Sequence, residues 1–200
     1  MLNYQTIEKY VITGGPGVGK TTLLNHLQVT NPNYSFLNET AREIILEESQ
    51  KNQNPILPWT EYEQFQYLVF NRQLRKESTI STPAIFDRSI VDGIAYAKYA
   101  NLTLPILESA ARSKKNSYNL IFILDPLPDY ICDQERRENK TIAKELQRII
   151  HATYIDFGYL PCSIPASSIS ERAELIMNTI REYQKERKIQ NNLGSEQHYG

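Results

Sequence analysis

Residues 14–22 read GGPGVGKTT and follow the apolar run Tyr10-Val11-Ile12-Thr13. The spacing G-x-x-x-x-G-K-T, from Gly14 to Thr21, is that of a phosphate cradle. Four of the eight glycines fall between residues 14 and 19, where backbone N–H groups can turn inward with no Cβ in the way. Those groups and the N-terminus of a following helix attract anionic phosphate. Gly15, Pro16, Gly17, Val18, Gly19, Lys20, Thr21 and Thr22 are therefore the expected nucleotide-binding residues. Lys20 would reach the β- and γ-phosphates, and the Thr21 hydroxyl would bind Mg²⁺.

Carboxylates come next. Asp87 closes the apolar run Ala84-Ile85-Phe86. There it could hold Mg²⁺ or accept the proton of an attacking hydroxyl. Arg88 follows at once and could neutralise a phosphate or orient a substrate. The bland alternative is a helix cap supplied by Asp87 or Ser89. Glu39 and Arg42 flank the start of another helix. They suit a substrate carrying hydroxyls or a negative group, or they form a helix-terminal ion pair worth little at a surface. Asp87 and Glu39 both stand as candidates for the base. The stretch 133–140 holds three acids and three bases. Alone it reads as a solvated helix face. Placed after the fourth strand, it could be a lid that delivers Arg136 or Arg137 to a transferring phosphoryl group.

Strands and helices alternate around these residues. Apolar runs at 10–13, 34–37, 83–86, 118–124 and 163–164 predict five strands. Helices are expected over about 20–27, 41–48, 60–76, 91–99, 105–112, 141–155 and from 168 onward. Thr40-x-x-Glu43, Thr60-x-x-Glu63 and Ser168-x-x-Glu171 fit capping boxes. Phe65, Leu68, Val69 and Arg72 share one face of the third helix. Ala173, Ile176, Met177 and Ile180 form the apolar stripe of the last. This alternation implies an α/β fold with a five-stranded parallel sheet, helices on both faces and a small helical lid at about 130–142. Ligands of such sheets bind at the carboxyl ends of the strands, where the loop, Glu39 and Asp87 all fall. Residues 1–189 would form one domain, and the polar stretch 190–200 a flexible tail.

The rest of the composition narrows the function. Net charge is −1, so no electrostatic footprint argues for nucleic acid. Neither Cys132 nor Cys162 belongs to a C-x-x-C pair, and both read as small core residues of a reducing, cytoplasmic environment. No apolar stretch reaches the length of a signal or a membrane span. His26, His151 and His198 lack metal-ligand spacing. The 13 tyrosines read as core-edge residues. Trp59 reads as an apolar contact ahead of the third helix, like a staple.

Taken in order, VITGGPGVGKTT (11–22), ETAR (39–42), LPWTEYEQF (57–65), FDRSIVDGIAY (86–96), IFILDPLPDY (121–130), DQERRE (133–138), FGY (157–159) and IPA (164–166) resemble the NadR-like AAA-type ATPase family. That family's fold is similar to nucleoside and nucleotide kinases. The resemblance spans about residues 9–185. It implies a P-loop NTPase fold and catalytic roles for Lys20, Asp87 and Arg136, to which position at a strand end adds Glu39. It implies a nucleotide base against Pro165 and Ala166, Mg²⁺ on Thr21 and Asp87, and a nucleoside-like acceptor beside Arg88, where Glu39 and Arg42 are the further substrate-binding candidates. The reaction implied is Mg-dependent transfer of the γ-phosphoryl of ATP, or alternatively GTP, to a small nucleoside-like acceptor. The family also holds nucleotide-binding regulators that act through a protein or lipid partner, which is the second reading. No N-K-x-D stretch is present, against a switch GTPase. A ring ATPase fits poorly, because the third and fourth strands end in Asp87-Arg88 and Asp125-Pro126 rather than in two acids. With 200 residues, room for a fused adenylyltransferase or DNA-binding domain is not expected.

Overall fold

The computed structural model describes residues 7–127 and 140–196. Five strands form one sheet: β1 Lys9–Thr13, β2 Ser35–Leu37, β3 Ala84–Asp87, β4 Leu120–Leu124 and β5 Cys162–Ile164. The helices are α1 Lys20–Thr30, α2 Thr40–Glu48, α3 Tyr62–Ser78, α4 Ile90–Tyr99, α5 Pro105–Ser113, α6 Lys140–Asp156 and α7 Ile169–Glu196. All four strand pairings are parallel, in the order β2-β3-β1-β4-β5. The expected α/β, P-loop-type sheet is thus present.

Both faces of the sheet are covered, so its central strands are apolar on both sides. Side chains alternate along each strand. Val11, Phe86, Ile121 and Ile123 point into a core built with α3, α4, α5 and α6. Tyr10, Ile12, Ile85, Phe122 and Leu124 point into a second core built with α1 and α7. The expected stripe of Ala173, Ile176, Met177 and Ile180 lies in that second core. Among the described residues no helix is long and apolar enough to cross a membrane.

Register sets the site. Ile12 pairs with Asp87 and with Phe122, while Leu37 pairs with Phe86. The residues just past these pairs, namely Gly14, Glu39 and Arg88, therefore leave the sheet at neighbouring strand ends.

Several local expectations need correction. Thr40 does not cap α2: Glu39 is at the cap position, with no side-chain hydrogen bond there. The Thr40 hydroxyl is buried and donates to Gln73 Oε1 on α3. Thr60 does not cap α3 either, which begins at Tyr62. Its hydroxyl serves the preceding loop, accepting from the Leu57 N–H and donating to the Pro55 carbonyl. The buried face of α3 is Phe65, Gln66, Phe70, Gln73 and Glu77, more polar than the expected face. Gln73 and Glu77 find partners there in Thr40 and Tyr118. Ser168 and Glu171 do bond reciprocally, hydroxyl to N–H and carboxylate to N–H. Helix α7 then runs on to Glu196, past residue 190, where a tail was expected.

Candidate active site

The phosphate loop connects β1 to α1. Gly19 caps α1 with φ 78°, a left-handed conformation that side chains resist. Gly15 is required by a close approach, since a Cβ there would meet the Ala143 carbonyl of α6 at 2.9 Å. Its N–H donates to Gln147 Oε1, and Gln147 Nε2 donates to the Leu124 carbonyl at 2.9 Å. One amide of α6 thus ties the loop to the end of β4.

Lys20 is only 4% exposed. Its ammonium donates to Asp87 Oδ1 and lies 3.5 Å from Glu39 Oε2. Asp87 is itself 8% exposed. Burial pushes its carboxyl above the ordinary carboxylate value, with the Lys20 charge opposing and the Glu39 charge adding to the rise.

Arg88 follows with φ 69°. Its Nε donates to Glu39 Oε1 at 3.1 Å and its Nη1 to Asp92 Oδ1 at 3.2 Å. The guanidinium also sits 5.1 Å from the centre of the Tyr96 ring. Burial opposes its charge, yet Tyr96, Glu39, Asp92 and Asp87 together hold its pKa above the ordinary arginine value.

The helix cap lies two residues past the lysine's partner Asp87. Ser89 is the N-cap of α4: its hydroxyl accepts from the Val91 N–H at 3.1 Å, and Asp92 Oδ2 accepts from the Ser89 N–H at 2.9 Å. Asp87 is left to Lys20. Asp92, which the expected site lacked, is 2% exposed. It also accepts from the hydroxyls of Thr13 and, at 2.6 Å, Tyr154. Its three-residue offset from Ser89 was a visible capping signal.

A cavity of about 1020 Å³ opens from this charged cluster. Glu39, Asp87 and Arg88 form its polar end, with Arg42 on the same lining. Trp59, Tyr62, Phe65, Tyr96 and Tyr99 give it an aromatic wall. Trp59 was expected to act as a staple, but it is 68% exposed at this lining. These aromatics come from α3, α4 and the loop before α3, so only tertiary structure assembles them.

Thr21 is exposed and shares a small cleft with Asp87 at the ends of β2 and β3. A hydroxyl and a carboxylate oxygen suit a hard cation such as Mg²⁺. Pro165 and Ala166 are exposed in the loop between β5 and α7. Arg136, Arg137 and the lid expected at about 130–142, as far as residue 139, lie outside the described residues, as does Cys132; residues 140–142 of that stretch are the start of α6, and Cys162 is a free, half-buried thiol.

A family model described as an AAA domain matches residues 9–172. No curated protein matches the chain in sequence. Among solved structures, the chain is similar to deoxyadenosine kinase from M. mycoides with dCMP and dCDP bound, at 14% identity and TM-score 0.57, over 87% of this chain and 98% of that one. It is similar to a thymidylate kinase from Candida albicans at 15% identity and TM-score 0.62, over 90% and 93% of the two chains. It is also similar to a NadR protein in complex with NAD and AMP-PNP, at 18% identity and TM-score 0.62, over 89% of this chain but 49% of that one. The chain therefore spans about half the length of that NadR chain. At these identities the likeness is one of fold.

Proposed function

The chain belongs to the AAA-domain family, and from that premise we propose that it is a P-loop kinase acting on a small nucleoside-like acceptor. One observation carries this reading. Asp87 bonds the phosphate-loop lysine and also lines the large aromatic cavity. A phosphate seated on the loop and a hydroxyl seated in the cavity would then meet at one carboxylate.

In this reading ATP, or alternatively GTP, lies on residues 14–22, with its base toward Pro165 and Ala166. The acceptor hydroxyl enters beside Asp87, Glu39 and Arg88, with Arg42 available to an anionic or polar group. The acceptor oxygen bonds the γ-phosphorus as the bond to the β–γ bridging oxygen breaks. Its proton passes to Asp87 or Glu39. Arg88 and Arg136 would stabilise the charge on the phosphoryl oxygens. Mg²⁺ on Thr21 and Asp87 would neutralise charge on the β- and γ-phosphates. The aromatic wall supports an acceptor with a planar ring, which can stack there. The fold shared with nucleoside and nucleotide kinases supports the same class.

The test is ADP release from purified protein with Mg–ATP, alone and with a nucleoside panel that includes nicotinamide riboside, using Lys20→Ala as control. Turnover stimulated by one acceptor and absent in the control is the expected result. Nucleotide binding with no stimulation by any acceptor would replace this reading with a nucleotide-dependent regulator.

A further inference from the structure

Arg172 stands in the first turn of α7 and is 2% exposed. Both of its terminal nitrogens donate to a single acceptor, the Val18 carbonyl of the phosphate loop, at 2.9 and 2.7 Å. Its Nε is the one buried side-chain nitrogen or oxygen among the described residues without a hydrogen-bond partner. The guanidinium also lies against Gly19, where a Cβ would sit 3.5 Å from each terminal nitrogen. Asp125, just past β4, acts on it through its charge, while the hydrogen bonds of its two terminal nitrogens go to the Val18 carbonyl rather than to a carboxylate.

This is a poor arrangement for scaffolding alone. A guanidinium has five donors and suits a carboxylate fork. Burying one on a neutral carbonyl, with one donor unsatisfied, costs stability. Such exceptions call for an explanation in function. Peptide geometry supplies one. The peptide unit is planar and trans, so the Val18 C=O and the Gly19 N–H point in opposite directions. Holding the carbonyl on Arg172 turns the Gly19 N–H the other way. If the carbonyl flipped, it would present an oxygen to the phosphates in place of a donor.

We propose that Arg172 is a positioning residue for nucleotide binding, fixing the Val18–Gly19 peptide so that the loop offers its N–H to phosphate and tying that peptide to the start of α7. The role rests on the reading that residues 14–22 hold nucleotide phosphates. It concerns the phosphates, not the base, and two probes separate these. Mg–ATP carries both, and inorganic tripolyphosphate carries only the phosphates.

Binding of each probe is measured by calorimetry on the full chain, at a temperature where circular dichroism shows every variant folded. Arg172→Ala should weaken both probes by the same factor, about tenfold to a hundredfold for lost charged hydrogen bonds. Arg172→Lys keeps the charge but not the two-pronged grip, and should weaken both by a smaller common factor. If Arg172→Ala fails to fold, Arg172→Lys carries the test. Wild-type affinity for both probes in the folded variants would overturn the proposal. So would a loss confined to ATP with tripolyphosphate unchanged, which would put the residue on the base side. Lys20→Ala separates the two levels. If it binds both probes normally, the phosphate-loop reading falls and this role falls with it. If it loses both while the Arg172 variants do not, only the role of Arg172 is wrong.

Discussion

Lys20 shares its ammonium between Asp87 and Glu39. A phosphate on the loop would compete with both carboxylates for the same Nζ. Asp87→Asn removes the stronger competitor and the candidate base together. It should lower turnover by about 10²–10⁴-fold while leaving nucleotide affinity equal or tighter. Calorimetry beside a kinetic assay checks both halves, and a large loss of nucleotide binding would mean that Asp87 serves chiefly to hold the loop or the metal rather than as the base. The protonation of Asp87 is open to direct test. Its folded-state pKa is raised above the ordinary 3.8, first by burial, against the opposing Lys20 charge. The native protein therefore takes up this proton at higher pH than the unfolded chain. The stabilisation it brings is complete below 3.8 and is lost as pH rises through the folded value. A ¹³C carboxyl titration, assigned with the Asn variant, should place the midpoint above 3.8; a midpoint at or below that value contradicts the account.

Asp92 does for the elements what Asp87 does for the chemistry. One buried carboxylate joins the end of β1 through Thr13, the turn after β3 through Arg88, the cap of α4 through Ser89, and α6 through Tyr154. Removing it leaves Arg88 with a buried charge short of a partner. Asp92→Ala should cost about 3–5 kcal/mol in urea unfolding; a loss under about 1 kcal/mol, a surface pair's worth, would show that the network is not mutually dependent. Asp92 also marks where sequence reading stops. The strands expected at 10–13, 83–86 and 118–124 were legible as apolar runs, and the structure has them at Lys9–Thr13, Ala84–Asp87 and Leu120–Leu124. The phosphate loop was legible by spacing, and Asp87-Arg88 by position at a strand end. The caps at Thr40 and Thr60 were misread because the same hydroxyls have other partners, Gln73 in one case and the loop at Pro55 and Leu57 in the other. The buried face of α3 was misread because it carries Gln66, Gln73 and Glu77, polar side chains that hydrophobic periodicity does not see. The aromatic wall was illegible because three separate segments contribute to it.

At the scale of the molecule, the loop and the cavity sit on one rim of the sheet, and the proposed function requires that each be loaded by its own ligand. Mg–ATP at about 100 times its Kd should add about 2.7 kcal/mol of stability. For a chain of this size that raises Tm by about 5–10 °C, and Lys20→Ala should abolish the shift. The cavity has its own reporter. Trp59 is the protein's single tryptophan, it lines the cavity, and it is largely exposed. An acceptor that stacks against this wall would remove water from the indole, so the intrinsic emission should move to shorter wavelength as acceptor is added. Mg–ATP alone, bound on the far side of Asp87, should leave that emission nearly unchanged. The two signals together assign each ligand to its compartment. A nucleoside that raises turnover yet leaves the Trp59 emission fixed would mean that the acceptor bypasses the aromatic wall, and its ring would have to be sought nearer Arg42 on α2. A nucleotide that shifts the emission as strongly as the acceptor would mean that the cavity takes the nucleotide itself, and the division of the rim into phosphate and acceptor halves would be wrong.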